Sequence, residues 1–467
     1  MPKTSARFVT TQRKAAFVFF VLDIIVTVAV FCAVSYLRGR NIDWHYVEVI
    51  LAGPVPTVIA AIYLIEGYRA RTDMLSLDYT SQHVIALIGA MLAMLLLAYV
   101  FKYPTPDELQ ASRFVIALSF VAIAPLSLGY RRVVYLRIAQ SRGDRSLVFL
   151  GDYAACCGFR EECVKMETTQ RVIYSVVTDA SVAPFGPKGE GMLVPFHDVL
   201  DQVQSNKIAV EAIVLRETNR ELLPEVSQRL VEMYFSGVPT YTLELFHQVY
   251  WQKIPLYRLN QTWLFQEGFQ IAREPVFERL KRASDIALSL IGLLLSAPLV
   301  ALAALAIKLD DHGPVFFFQT RVGRNHIPFR LAKLRTMRVN GGGGDRYTQP
   351  GDSRITRIGR FLRASRLDEL PQLWNVLAGE MSLIGPRAEW DKLVKDYERE
   401  ISCYHFRHLV KPGITGWAQV NYPYGANLED TIRKLEYDLY YIRHFSFMLD
   451  ASIVLKTIHI MLFGKGR

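Results

Sequence analysis

The chain has 467 residues, 51% of them hydrophobic and 21% charged, with a formal net charge of +10. A single core rarely grows past about 250–300 residues, so two or three units are expected, and the five scattered cysteines, Cys32, Cys156, Cys157, Cys163 and Cys403, without paired metal spacing, argue against a disulfide framework or a zinc site. The positive charge comes without a nucleic-acid-binding motif; its Lys and Arg residues flank apolar runs or crowd the C-terminal third, which points to anionic headgroups and phosphorylated substrates rather than to nucleic acid.

Four N-terminal stretches, about Ala15 to Leu37, Val47 to Ile65, Val84 to Phe101 and Phe114 to Tyr130, are long enough to cross about 30 Å of hydrocarbon. They predict a four-helix transmembrane region over 1–140, its first helix retained rather than cleaved as a signal peptide. Lys3, Arg7, Arg13, Lys14, Arg69, Arg71, Arg131, Arg132 and Arg137 mark one face, which the positive-inside rule makes cytoplasmic. Asp23, inside the first span, is expected to be satisfied within the bundle.

Over 145–265 the pattern changes to short apolar strands (Ser146 to Leu150, Val172 to Val177, Glu211 to Leu215) alternating with helices such as Leu222 to Tyr234, which predicts a Rossmann-like α/β middle domain. The first strand runs into Gly151-Asp152-Tyr153-Ala154 without the G-x-G-x-x-G spacing, so a non-catalytic domain is expected.

Ile286 to Ile307 is uncharged and long enough to span once, yet both of its flanks are basic. Near its centre, Ser296-Ala297-Pro298 removes an amide donor and frees the carbonyl of Leu294, which the Ser296 hydroxyl or headgroup water would have to satisfy. Two readings fit: a re-entrant helix over about 283–309, broken at Ser296 and Pro298, or a spanning helix with a proline kink. The basic flanks favour the first.

Basic and polar motifs follow the segment: Gln319 to Gly323, Lys333 to Met337, Asp352 to Thr356, and Arg360 through Arg363. Together they suit a diphosphate, since Arg offers forked donors and Lys a compact charge. In Arg366 to Asn375, the residues Leu370, Leu373, Trp374 and Leu377 fall at helical spacing, which puts Asp368 and Glu369 at a helix start, where unpaired amides favour anions. Gly341 to Gly344 reads as a flexible loop, and Ser446 to Phe463 as a helix lying at the membrane interface or packed on the domain.

The ordered series Lys281-Arg282-Ala283-Ser284-Asp285, Ser296-Ala297-Pro298, Gln319 to Gly323, Lys333 to Met337, Leu367 to Leu373, Met381 to Arg387 and Lys411 to Asn421 resembles the bacterial sugar transferases, the monotopic phosphoglycosyltransferases. Ala388 stands where members of that family commonly carry proline. The resemblance covers 277–467 and, with four spans and a middle domain ahead of it, implies the large form of the family: a membrane protein of mixed α and α/β class whose C-terminal catalytic domain is mainly α-helical.

The resemblance implies transfer of a sugar 1-phosphate from a UDP-sugar to undecaprenyl phosphate, releasing UMP, as the first membrane step of exopolysaccharide or O-antigen assembly. Asp368 would be the nucleophile and a Mg²⁺ ligand, and Glu369 a proton acceptor or metal-positioning group. Lys333, Arg335, Arg354, Arg363 and Arg387 would contact phosphate and nucleotide. Membrane lipids, a homodimer and a cytoplasmic-side placement on the bacterial inner membrane belong to the same implication. A glycosyltransferase releasing UDP and a non-enzymatic, nucleotide-sensing membrane scaffold are the alternatives.

Overall fold

A computed structural model of the chain describes residues 3–39, 44–65, 67–68, 74–100, 106–141, 146–166, 168, 170–176, 183–185, 191–205, 207–216, 224–235, 237–256, 275–338, 354–422, 425 and 427–463. The expected glycine loop at Gly341 to Gly344, Asp352, and the loop charges Arg69 and Arg71 lie outside the described residues. The chain divides into two compact units, Met1–Phe246 and His247–Arg467.

The first unit begins with helices α1 (Lys3–Leu37), α2 (Trp44–Ala52), α3 (Pro54–Leu64), α4 (Leu77–Val100) and α5 (Pro106–Ser141). Among the described residues five segments are long and apolar enough to cross a membrane, four of them here: Ala16–Leu37, Val47–Leu64, Tyr79–Tyr99 and Arg113–Arg137. They mark a membrane protein. Prolines 54 and 56, which cannot donate amides, divide the second segment between α2 and α3. Thr57 keeps the joint satisfied by donating its amide (3.3 Å) and its hydroxyl (2.8 Å) to the Gly53 carbonyl.

α1 packs against α3 and α5, and α4 against α3 and α5. Asp23 is satisfied inside, as expected: it pairs with Arg131 at 2.5 Å and accepts from the hydroxyls of Tyr68 (2.6 Å) and Tyr130. Arg131, read from the sequence as a loop charge, is instead fully buried and also donates to the Gly67 carbonyl at 2.6 Å. A buried acid in an apolar bundle needs a buried cation, and that need overrides the positive-inside pattern.

The rest of this unit is an α/β sheet: β1 (Ser146–Leu150), α6 (Tyr153–Lys165), β2 (Arg171–Val176), β3 (Ala183–Phe185), β4 (Gly191–Pro195), α7 (Phe196–Gln204), β5 (Val210–Leu215), α8 (Pro224–Phe235), β6 (Thr240–Thr242) and α9 (Leu243–Tyr250), which runs past the unit boundary. The strand order is β3-β4-β2-β1-β5-β6, all parallel except the edge strand β3. β1 is buried throughout, and β2 and β5 flank it. Reversal of direction about β1 is the Rossmann arrangement, whose ligand crevice opens where β1 ends. There Asp152 caps α6 through the Ala155 amide at 2.8 Å and pairs with Arg216, so a carboxylate occupies the position a diphosphate would approach. The boundary between the units falls inside the stretch 145–265, and Ile254 is buried with Trp417 and Tyr437 in the core of the second unit.

The second unit contains α10 (Pro275–Asp311), β7 (Phe316–Val322), β8 (Pro328–Leu334), α11 (Arg357–Ala364), α12 (Gln372–Ala378), β9 (Ser382–Ile384), α13 (Asp391–Glu400), β10 (Gly413–Thr415), α14 (Trp417–Asn421), α15 (Leu428–Arg443) and α16 (Phe447–Phe463). It is mainly helical, with an antiparallel hairpin of β7 and β8 and a short parallel pair of β9 and β10. The break expected at Ser296 and Pro298 is corrected: α10 runs on through Pro298, since one proline removes a single amide donor while the flanking turns keep theirs, and the Ser296 hydroxyl reaches the carbonyl of Leu293 at 3.4 Å rather than that of Leu294. α16 packs one face on the domain through Ile453 and the Thr457–Thr415 contact at 2.8 Å, while Phe447, Ile458 and Met461 stay exposed.

Candidate active site

The chain leaves α11 through Arg366, held in the left-handed region (φ 56, ψ 18), and enters a single 3₁₀ turn, Leu367–Glu369, before α12. Asp368 and Glu369 therefore occupy their own turn, not the first turn of α12, which begins after Pro371. The predicted apolar face of α12 is corrected as well. Trp374 is exposed, and the buried residues are Gln372, Asn375 and Val376. The reason is polar: Asn375 accepts from the Ala332 amide at 3.0 Å and donates to the Arg330 carbonyl at 2.8 Å and to Glu380 at 2.7 Å, which turns that side of the helix onto β8.

That clamp sets β8 beside the turn and brings Lys333 to Glu369, at 2.9 Å. Arg387, from the loop after β9, approaches the same Glu369 oxygen at 3.4 Å. Burial works to raise the Glu369 carboxyl, but Arg387 and Lys333 overcome it and hold the group down at about 2. Asp368 differs: it is buried, and burial together with the neighbouring Glu369 charge raises its pKa, with Lys333 and Arg363 opposing. Burial, helped by Arg387, lowers Lys333, and Glu369 opposes. The result is two adjacent acids shifted in opposite directions, Glu369 held down by its cations and Asp368 raised by desolvation.

Several motif residues hold this arrangement. Arg282 of α10 donates to the carbonyls of Val376 (2.6 Å) and Leu377 (2.8 Å), capping the end of α12, and Asp285 accepts from Ser382 (3.1 Å) and the Leu383 amide (3.0 Å). A Cβ at Gly359 would lie 2.1 Å from the Thr336 carbonyl, so α11 can sit against the Lys333-to-Met337 segment only with glycine there. Thr336 also accepts from Arg363 at 3.0 Å. Gly385 and Gly413 touch in the same way, 2.1 Å from a Cβ on Gly413 to the Gly385 amide nitrogen, which joins the two motifs that flank Arg387. Buried Arg407 pairs with Asp438 at 3.0 Å and donates to the Arg387 carbonyl at 2.9 Å.

Of the seven expected site residues, the structure brings together Asp368, Glu369, Lys333, Arg363 and Arg387. Arg335, one residue past the end of β8, does not join them: its guanidinium closes over Gly313, where a Cβ would stand 1.9 Å from Nη1. Arg354 is placed through its backbone, its carbonyl accepting from the Arg338 amide at 3.0 Å. Asn375 and Arg407 were missed as site supports. Each lies within or beside a motif, but neither announces through spacing that its partners are main-chain groups distant in sequence.

Residues 276–464 match the model of the family described as bacterial sugar transferase. The chain is 38% identical over 269 residues to UDP-N-acetylgalactosamine-undecaprenyl-phosphate N-acetylgalactosaminephosphotransferase of Aeromonas hydrophila, a match covering 57% of this chain and 63% of that protein. It is 46% identical over 183 residues to UDP-glucose:undecaprenyl-phosphate glucose-1-phosphate transferase of Escherichia coli (strain K12), covering 38% and 39%. To the protein of that same name from Caulobacter vibrioides it is 44% identical over 185 residues, covering 39% of this chain and 69% of the relative. The chain belongs to the bacterial sugar transferase family. It matches less than two thirds of the length of the first two of these relatives.

Proposed function

We propose that this chain transfers a sugar 1-phosphate from a UDP-sugar to undecaprenyl phosphate, releasing UMP, with Asp368 as nucleophile. The observation that carries the reading is the paired-acid turn, in which Glu369 is engaged by Lys333 and Arg387 while Asp368 carries the more basic carboxylate. An Asp368 oxygen attacks the phosphorus bearing the sugar, the bond to the UMP oxygen breaks, and an aspartyl phosphosugar results. A polyprenyl phosphate oxygen then attacks the same phosphorus, which regenerates the carboxylate and yields the polyprenyl diphosphosugar. Lys333, Arg363 and Arg387 offset the charge gathered at that phosphorus.

A Mg²⁺ ion fits this donor set: Asp368 is a buried hard-oxygen ligand whose charge burial and Glu369 disfavour, and one or two carboxylates plus substrate phosphates usually hold this ion. It would screen the repulsion between carboxylate and diphosphate. With its carboxyl held at about 2, Glu369 has little affinity for a proton at neutral pH, so we assign it the positioning of Lys333 and Arg387 rather than proton acceptance.

We read α10 as the re-entrant element and 3–141 as the membrane bundle. The second unit lines α10 along its length: Arg282 and Asp285 near the start, Gly292 against Leu373, and Ala303 and Ile307 with Leu334 and Leu362 near the end. A helix with one soluble domain against both of its ends fits one leaflet better than a full crossing. Leu288, Leu294, Leu295, Leu302 and Leu305 are left as an exposed apolar face. Such placement lets a water-soluble donor meet a lipid acceptor on the cytoplasmic side.

The test is the purified chain in nanodiscs with undecaprenyl phosphate, Mg²⁺ and, separately, UDP-glucose, UDP-galactose and their N-acetylated relatives. UMP and a lipid diphosphosugar are expected with at least one donor; UDP release would sink the reading. The named relatives divide between N-acetylgalactosamine and glucose, so both donors are included. Cysteine labelling at the two ends of α10 checks the topology, with accessibility of both from the cytoplasmic face expected.

A further inference from the structure

Away from Asp368, three side chains converge from different parts of the second unit. His326 comes from the turn between β7 and β8, Glu398 from α13, and His408 from the 3₁₀ turn Tyr404–Leu409. One ligand atom of each lies within 4.8 Å of the others, and His326 Nδ1 stands 3.4 Å from Glu398 Oε1. With zinc bonds of about 2.0–2.2 Å, a tetrahedral site has ligand–ligand edges of about 3.3–3.6 Å, so that pair is already spaced for one ion.

His408 supplies the second observation. Its residue exposure is 6%, and its Nε2 is buried with no hydrogen-bond partner. The ring also bonds to the backbone of Gly323, and one of its nitrogens lies within 4.8 Å of the ligand atoms of His326 and Glu398. A histidine held on a backbone carbonyl through one nitrogen and open at the other is the usual support of a metal ligand.

Asn325 and His326 are the central residues of the β7–β8 hairpin turn, whose positive φ values of 54° and 61° are those such a turn requires, and the turn places His326 at its tip beside Glu398. The His–Glu ion pair leaves His408 Nε2 unsatisfied.

We propose that His326, Glu398 and His408 form a binding site for a divalent transition-metal ion of the zinc class, distinct from the carboxylates at Asp368. The donors, two imidazoles and one carboxylate, suit Zn²⁺ over Mg²⁺, and the exposed side leaves a fourth position for water. The ion braces the unit. It ties the hairpin that carries Lys333 to α13 and to the turn in which Arg407 holds the Arg387 carbonyl.

The test is Zn²⁺ titration of the full-length, tag-free chain in detergent with Mg²⁺ saturating, read by metal content, calorimetry and thermal melting, and repeated with Co²⁺ for its visible absorption bands. One equivalent is expected, with a rise in melting temperature on Zn²⁺ addition. His326→Gln and Glu398→Gln, both at exposed positions, should each weaken binding by about 10- to 100-fold or more and remove the melting shift. Failure of the wild type to bind, or equal binding by wild type and His326→Gln, overturns the proposal. His408→Gln, checked for folding by circular dichroism, must lose the Co²⁺ bands; retained bands overturn it too.

Discussion

Two aspartates open two turns in this molecule, and their fates differ. Asp152 follows the first strand of the middle sheet, caps its own helix, pairs with Arg216 and is more than half exposed. Asp368 precedes α12, is buried, and is pressed toward protonation by burial and Glu369 while Lys333 and Arg363 hold it back. The first is an acid consumed by local structure; the second is held in reserve by its surroundings. Residue type and proximity to a helix start are shared, so the chemistry resides in the shell contributed by β8, α11 and the loop after β9.

The sharpest break of this contrast is Asp368→Asn. It should abolish UMP release, with a loss of about 10⁴-fold or more, while thermal stability is unchanged or rises because a disfavoured buried charge is removed. An active Asp368→Asn chain would leave the two aspartates indistinguishable. Next come Lys333→Met and Arg387→Ala, each expected to lower kcat/KM by about 10²–10³-fold in steady-state UMP assays, with Glu369 in either case losing a cation partner.

Asn375→Ala separates positioning from contact. The Ala332 amide and the Arg330 carbonyl lose their partner, so stability should fall by about 1–3 kcal/mol in chemical denaturation, and activity by about tenfold or more as Lys333 shifts. The smallest effect belongs to Asp152→Ala: about 1 kcal/mol from a lost helix cap, with transfer rate within about twofold of wild type. A large loss of transfer there would give the middle domain a part in catalysis.

Much of the architecture was legible because it depends on composition and period. The first two N-terminal apolar segments match the helical spans to within a few residues, while Tyr79–Tyr99 starts five residues before Val84 and Arg113–Arg137 runs seven residues past Tyr130. The strands at Ser146, Arg171 and Val210 followed from short apolar runs between turns. Within the site, Asp368, Glu369, Lys333, Arg363 and Arg387 were legible as a motif series, whereas Arg335 went to a glycine in the α10–β7 turn. Alternation along an extended segment puts Lys333 and Arg335 on the same side only if the segment stays flat, and the strand ends at Leu334.

By itself, the amino-acid sequence determined the apolar segments, the α/β alternation of the middle domain and the set of charged groups available to a phosphorylated ligand, because each is a matter of local pattern. Tertiary structure alone decided which acid stays basic, that Arg131 is buried against Asp23 rather than facing a headgroup, that Asn375 and Arg407 hold the site together, and that His326, Glu398 and His408 meet. Those outcomes depend on burial and on contacts between groups remote along the chain, where the cost of an unpaired charge or polar atom is set by whatever the fold brings beside it.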